Sequence, residues 1–199
     1  VILSDREIRA ALDRGAIRIT PDPKADPKLW SSTSLDLRLG DELLLWDREL
    51  ISEAESIIDL GPGFSPNEII SKYSSSKTIP EEGYVLRPNT FVLGWTKEKI
   101  ALPHSSRYAA RVEGKSSLAR LGLGVHVTAP TIHAGFGFVP GQDANEPQGQ
   151  PIQLEIWHIG PFPVRLIPGM KICQLIVEEV HGTPEQGYSG TFATQGPQG

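Results

Sequence analysis

The chain reads as a mostly β protein, a barrel or a sandwich with one helix at its N-terminus. Three observations predict it. From residue 33 onward, apolar and polar residues alternate in a succession of short segments. Pro and Gly turns part those segments, and helical periodicity is clear only at the start. The 20 glycines and 17 prolines suit many short strands joined by turns, and 199 residues suit one domain with a real core.

In "LSDREIRAALDRG", Ser4 and Glu7 form a capping box, and Leu3 and Ile8 a hydrophobic staple. Ile8, Ala11 and Leu12 share one face, and Gly15 is placed to stop the helix. "AIRIT" then reads as a short strand. In "SLDLRLGDELLLW", Leu35, Leu37 and Leu39 alternate with Asp36 and Arg38, which predicts one buried face and one wet face. "YVLRPNTFVLGWTKEKIALP" repeats the pattern around a turn at Arg87-Pro88-Asn89. "IQLEIWHI", "FPVRLIPGM" and "ICQLIVEEV" are further strands, split by Gly160-Pro161 and Pro168-Gly169.

Residues 61–78 read as a mostly polar loop with room for a short helical turn, and 139–151 as a loop projecting from a hairpin. From about residue 182 the chain is a Gly/Thr/Gln tail without periodicity. No repeat and no linker divides it, so a single domain over 1–199 is expected.

The formal charge of −5 argues against a broad nucleic-acid surface, although a few local cations can still hold a small anion. No apolar run reaches the roughly 18–20 residues of a membrane span, and no signal peptide is visible, so a cytoplasmic protein is expected. The one cysteine, Cys173 in "KICQLIV", cannot form an internal disulfide or a cysteine-rich zinc site, and a buried thiol is expected.

The stretch "RVEGKSSLARLGLGVHVTAPTIHAGFGF" at 111–138 contains Gly114-Lys115-Ser116, the ending of a phosphate-binding loop of the Walker type. That motif requires glycine five residues before Gly114, where this chain has Ala109, and a glycine-rich turn that "RYAARVE" does not supply. The Walker reading fails. Lys115, Ser116 and Ser117 still set a charge and two hydroxyls beside backbone amides, which suits phosphate oxygens as well as it suits a solvated turn. In "PIQLEIWHI", if Ile152, Leu154 and Ile156 face the core, Gln153 and Glu155 face the other side, either solvent or a cleft. The five histidines (104, 126, 133, 158, 181) show no paired ligand spacing.

The run "GKSSLARLGLGVHVTA" at 114–129, followed by "IHAGF" at 132–136 and "IQLEI" at 152–156, resembles the core signature of the deoxycytidine triphosphate deaminase family, within the trimeric deoxyuridine triphosphatase superfamily. "LSDREIRAAL", "SLDLRLG", "FVLGWTKEKIALP", "IPGMKICQL" and "GYSGTFATQG" extend the resemblance along nearly the whole chain. It implies a distorted jelly-roll-like barrel, assembled as a homotrimer with sites between subunits. It implies hydrolytic deamination of dCTP to dUTP and ammonia without zinc, with Glu155 as general acid/base and Arg120 and Ser116 beside it. Lys115, Ser116 and Ser117 would contact the triphosphate, and the main chain at Thr128 and Ala129 the pyrimidine edge. His133 would meet the sugar, and Tyr188 and Gln195 of the tail would close over the nucleotide. Magnesium would come with the triphosphate rather than in a protein cage.

This chain departs from the family pattern at several points. Lys115 stands where relatives usually carry arginine, keeping the charge without the bidentate fork. His133 stands where they usually carry an aspartate that holds the sugar hydroxyl and, in triphosphatase members, orders the water that attacks the α-phosphate. The hairpin before Glu155 is longer by about a dozen residues, as a surface insertion would be. The tail lacks a lysine-tyrosine pair near Thr191-Phe192. A bifunctional enzyme forming dUMP and diphosphate, a dUTPase, or a catalytically silent nucleotide-binding regulator are the alternatives.

Overall fold

α1 (Asp5–Asp13) starts where the Ser4 hydroxyl accepts the Glu7 backbone N–H at 3.3 Å, and it buries Ile8 and Ala11 as the sequence predicts. Gly15, at φ 68°, turns the chain out of the helix. The computed structural model describes residues 1–53, 57–125, 129–137 and 149–185.

The strands follow in chain order as β1 (Arg18–Thr20), β2 (Leu35–Trp46), β3 (Ser74–Thr78), β4 (Tyr84–Leu86), β5 (Thr90–Ala101) and β6 (Tyr108–Gly114). After these come β7 (Leu123–Val125), β8 (Thr131–Ile132), β9 (Gln150–His158), β10 (Val164–Leu166) and β11 (Lys171–Glu179). Nine of them form one sheet in the order β7-β9-β5-β2-β11-β6-β8, with β1 paired to β5 and β3 to β2; β4 and β10 pair separately. All the pairings are antiparallel.

β2 bends this sheet. Its first part, Leu35–Arg38, pairs with β11, and its second part turns to β3 and β5. The register shifts between Leu39 and Leu43, where Gly40 lets the backbones close: a Cβ there would sit 3.1 Å from the Trp95 carbonyl oxygen. Curling brings β6 round to β7, so that a Cβ on Gly114 would lie 3.9 Å from the Val125 carbonyl oxygen. The core fills the concave side with Leu35, Leu37, Leu39, Val112, Leu154, Ile156 and Leu175 among others, all fully buried. The fold is therefore the mostly β, barrel-like one expected.

Two expectations change. Residues 61–78 are not mainly loop: α3 (Pro66–Tyr73) is capped by Ser65 with Pro66 in its first turn, and β3 follows directly. β3 is the polar run Ser74–Thr78 and escapes period-two reading because it lies on β2 as a largely exposed strand. A short α2 (Arg48–Glu53) also forms after β2. The wet face expected for β2 is the second change, since Asp36 is 5% exposed and Arg38 reaches a fully buried Glu98. Most of the 139–151 loop lies outside the described residues, and Gln150 and Pro151 already belong to β9.

Candidate functional site

β9 alternates strictly. Ile152, Leu154, Ile156 and His158 are buried, while Gln153, Glu155 and Trp157 point to the opposite face and are half-buried. Rungs of the ladder set Glu155 opposite Leu93, Gln153 opposite Trp95, and Trp157 opposite Phe91. Residues opposite one another in an antiparallel pair share a face. Glu155 thus stands on an apolar surface on which Leu93 and Trp95 are 4% exposed, although neither belongs to the main core. The indole N–H groups of Trp95 and Trp157, both on this face, are buried without a hydrogen-bond partner. Orphaned buried donors are uncommon and mark a place where a further acceptor fits.

The Gly114–Gly122 segment builds the second part. β6 ends at Gly114, and Lys115 leads into α4 (Ser116–Ala119), a single turn with Ser116, Ser117 and Arg120 exposed. Gly122 then crosses the end of β9 against Gly160. A Cβ on Gly122 would come 2.3 Å from the Gly160 nitrogen, and one on Gly160 would come 1.8 Å from the Leu121 carbonyl oxygen. Only glycine allows that approach, and Ile159 N–H donates to the Gly122 carbonyl at 2.9 Å. His158 serves structure here, with its ring nitrogens 3.2 Å from the Gly122 and 2.6 Å from the Phe162 carbonyl oxygens. β7 continues along β9 with Gly124 beside Trp157, whose ring fills the space a Cβ would take.

The register sets the spacing between the two parts. Gly122 lies beside Ile159, four residues beyond Glu155, which is roughly 13 Å along a strand. Lys115 follows Gly114, which lies against Val125 of β7, so β7 stands between it and β9. Within one chain the ladder thus keeps the Arg120 end of α4 and Glu155 in separate positions. Two of the clefts among the described residues, of about 390 and 370 Å³, are not lined by Glu155, Lys115 or Arg120.

The remaining expected residues are scattered. Ala129 and His133 are exposed on either side of β8, and the Phe136 N–H closes a turn on the His133 carbonyl at 3.1 Å. Thr128, Tyr188 and Gln195 lie outside the described residues. Lys115 is held by Asp36, a partner not foreseen. The same carboxylate takes Lys171 at 3.1 Å and the Gln174 amide at 3.3 Å. Asp36 sits at a polar position of an alternating strand, so nothing in the local pattern signals its burial. Cys173 is fully buried as expected, and burial pushes its thiol pKa far up, leaving it protonated.

A family model described as dCTP deaminase-like matches residues 2–180. The chain belongs to that family. A Methanobrevibacter smithii protein named "dCTP deaminase, dUMP-forming" is 37% identical over 94% of this chain and 84% of its own length. A Natronomonas pharaonis protein named "dCTP deaminase" is 38% identical over 94% of this chain and 85% of its own. Among solved structures, the 2'-deoxycytidine 5'-triphosphate deaminase of Agrobacterium tumefaciens superposes with a TM-score of 0.62 at 24% identity. That likeness covers 90% of this chain and 48% of the solved one, and it supports the fold.

Proposed function

We propose that this dCTP deaminase-like chain hydrolyses dCTP to dUTP and ammonia, with Glu155 moving the protons. The observation that carries the reading is the position of Glu155: a half-buried carboxylate in mid-strand, on an apolar face with two unsatisfied indole donors. Such a carboxylate takes a proton from water as the oxygen bonds to C4 of the cytosine ring. The proton passes to N3; Glu155 then takes the C4 hydroxyl proton and gives it to the amino group, which leaves as ammonia while the C4 oxygen becomes the uracil carbonyl.

Zinc deaminases build their hydroxide on a cysteine pair with a histidine or a third cysteine, and a chain with Cys173 as its sole cysteine cannot supply that set. Magnesium accompanies the triphosphate. Phosphate oxygens and water would hold that ion.

The separation of the Arg120 end of α4 from Glu155 within one chain supports a site completed between subunits. In a homotrimer, Ser116, Ser117 and Arg120 of one copy would face Glu155 of another. Arg120 and Ser116 then position the attacking water, and Lys115 and Ser117 hold phosphate.

Product identity turns on His133. A neutral imidazole orders an in-line water at the α-phosphate less well than a carboxylate, which favours dUTP as product. The dUMP-forming name of several relatives at 34–37% identity favours the second reading, a bifunctional enzyme. Incubation with dCTP and magnesium, resolving dUTP, dUMP and ammonia by ion exchange, tests both. Tight dCTP binding without ammonia release would leave a silent regulator instead.

A further inference from the structure

The carboxylate of Asp36 has more cations than it needs. Its side chain is 7% exposed and touches Lys115, at 19% exposure, through one oxygen and Lys171, at 37%, through the other. One ammonium would neutralise it. Gln174 adds a neutral donor to the same group and also reaches the Ser34 hydroxyl at 3.2 Å. The two lysines lie on the solvent side of the carboxylate and leave one positive charge in excess. Sharing one carboxylate keeps their ammonium groups within roughly 7 Å, the span of the group plus two hydrogen bonds.

Of the neighbouring acids, Glu98 is held by Arg38, while Glu113, beyond Gln174 on the same rung, shares Arg111 with Glu178, at 3.5 and 3.2 Å. The Lys171 ammonium is further fixed by the Lys28 carbonyl oxygen. Each ammonium carries three N–H donors, so two remain on Lys115 and one on Lys171 after these contacts. Lys115 immediately precedes the exposed Ser116 and Ser117, on a chain whose overall charge is −5.

We infer that Lys171 is a second phosphate-binding residue, forming with Lys115 a two-lysine clamp pivoted on buried Asp36. The inference rests on the reading of the Lys115 turn as a triphosphate site. It enlarges that site to include β11 and makes Asp36 a positioning residue. A triphosphate offers the two ammonium groups more oxygens and more negative charge than a monophosphate, so the pair favours dCTP over dCMP.

The test is calorimetric titration of the full-length chain with dCTP, dCMP and deoxycytidine in magnesium buffer, comparing Lys171→Gln, Lys171→Arg and Lys115→Gln. Circular dichroism and size-exclusion mass confirm that each variant folds and assembles as the native chain does. Lys171→Gln is expected to raise the Kd for dCTP roughly 5- to 20-fold, the lower range for a charge-assisted hydrogen bond because the group is partly exposed. Deoxycytidine should change less than about twofold, and Lys171→Arg should restore most of the dCTP affinity. Unchanged dCTP affinity in Lys171→Gln overturns the clamp, and a loss confined to Lys115→Gln would then leave the function reading standing. Equal weakening of dCTP and deoxycytidine also overturns it, making Lys171 a prop of the turn. If the native chain does not bind dCTP, both the clamp and the function reading fall.

Discussion

Glu98→Gln is a sharp test of how the sheet that carries Glu155 is held. Glu98 is fully buried between the register shifts of β2 and β5. One oxygen accepts the Arg38 Nε–H at 2.6 Å and the other the Arg38 backbone N–H at 2.7 Å, with the Arg38 side chain 21% exposed. The amide keeps the shape and one acceptor but turns an NH₂ toward a donor. It therefore loses a charge-assisted hydrogen bond and leaves a poorly exposed guanidinium without its counter-charge. The expected loss is about 2–3 kcal/mol, below the ~3–5 kcal/mol of a buried pair broken outright. For a chain of this size that is roughly 4–12 °C in Tm. Urea unfolding followed by tryptophan fluorescence, at one fixed protein concentration, reads it directly. Adding Arg38→Met removes the stranded charge, so the double variant should recover at least about 1 kcal/mol over additivity. A loss in Glu98→Gln under about 0.5 kcal/mol, with an unchanged denaturant slope, would refute the argument that this pair secures the β2–β5 junction.

Glu155→Gln should leave dCTP binding within a few-fold while turnover falls roughly 10²–10⁴-fold, since the amide keeps size but cannot act as base; near-normal ammonia release would sink the proposed chemistry. His133→Asp is expected to raise the dUMP fraction at single turnover, and a native chain already yielding chiefly dUMP would show that His133 is no barrier to phosphate cleavage. Cys173 should resist thiol reagents in the folded chain and react fully in urea. Burial raises the folded pKa above the ordinary thiol value of 9.0, and this sets the sign of its linkage. Below that pH both states keep the proton; above it only the unfolded thiol ionises, so Cys173→Ala should reduce the loss of stability on going to alkaline pH. Equal alkaline loss in the variant would contradict the burial argument.

Much of this molecule is legible one segment at a time, because strand and helix periods are local. Ser4 and Glu7 mark the start of α1, and the alternation of "IQLEIWHI" puts Glu155 on the face away from the core, as β9 shows. The family signature at 114–129 is local in the same way and draws attention to Lys115, Ser116 and Arg120. What period-two reading cannot supply is the identity of a strand's neighbours. β3 has no apolar alternation and exists because the second part of β2 offers it a ladder. Asp36 occupies a position that alternation assigns to water, yet it is buried because β2 lies inside the sheet and cations come from far along the chain. Lys115 is 79 residues away, and Gln174 is 138. The distance between α4 and Glu155 is likewise a property of the β7–β9 register and of the Gly122–Gly160 crossing. Which side chains a strand exposes is written in its own residues; which charges meet there depends on chain closure over long separations, and only the tertiary structure decides it.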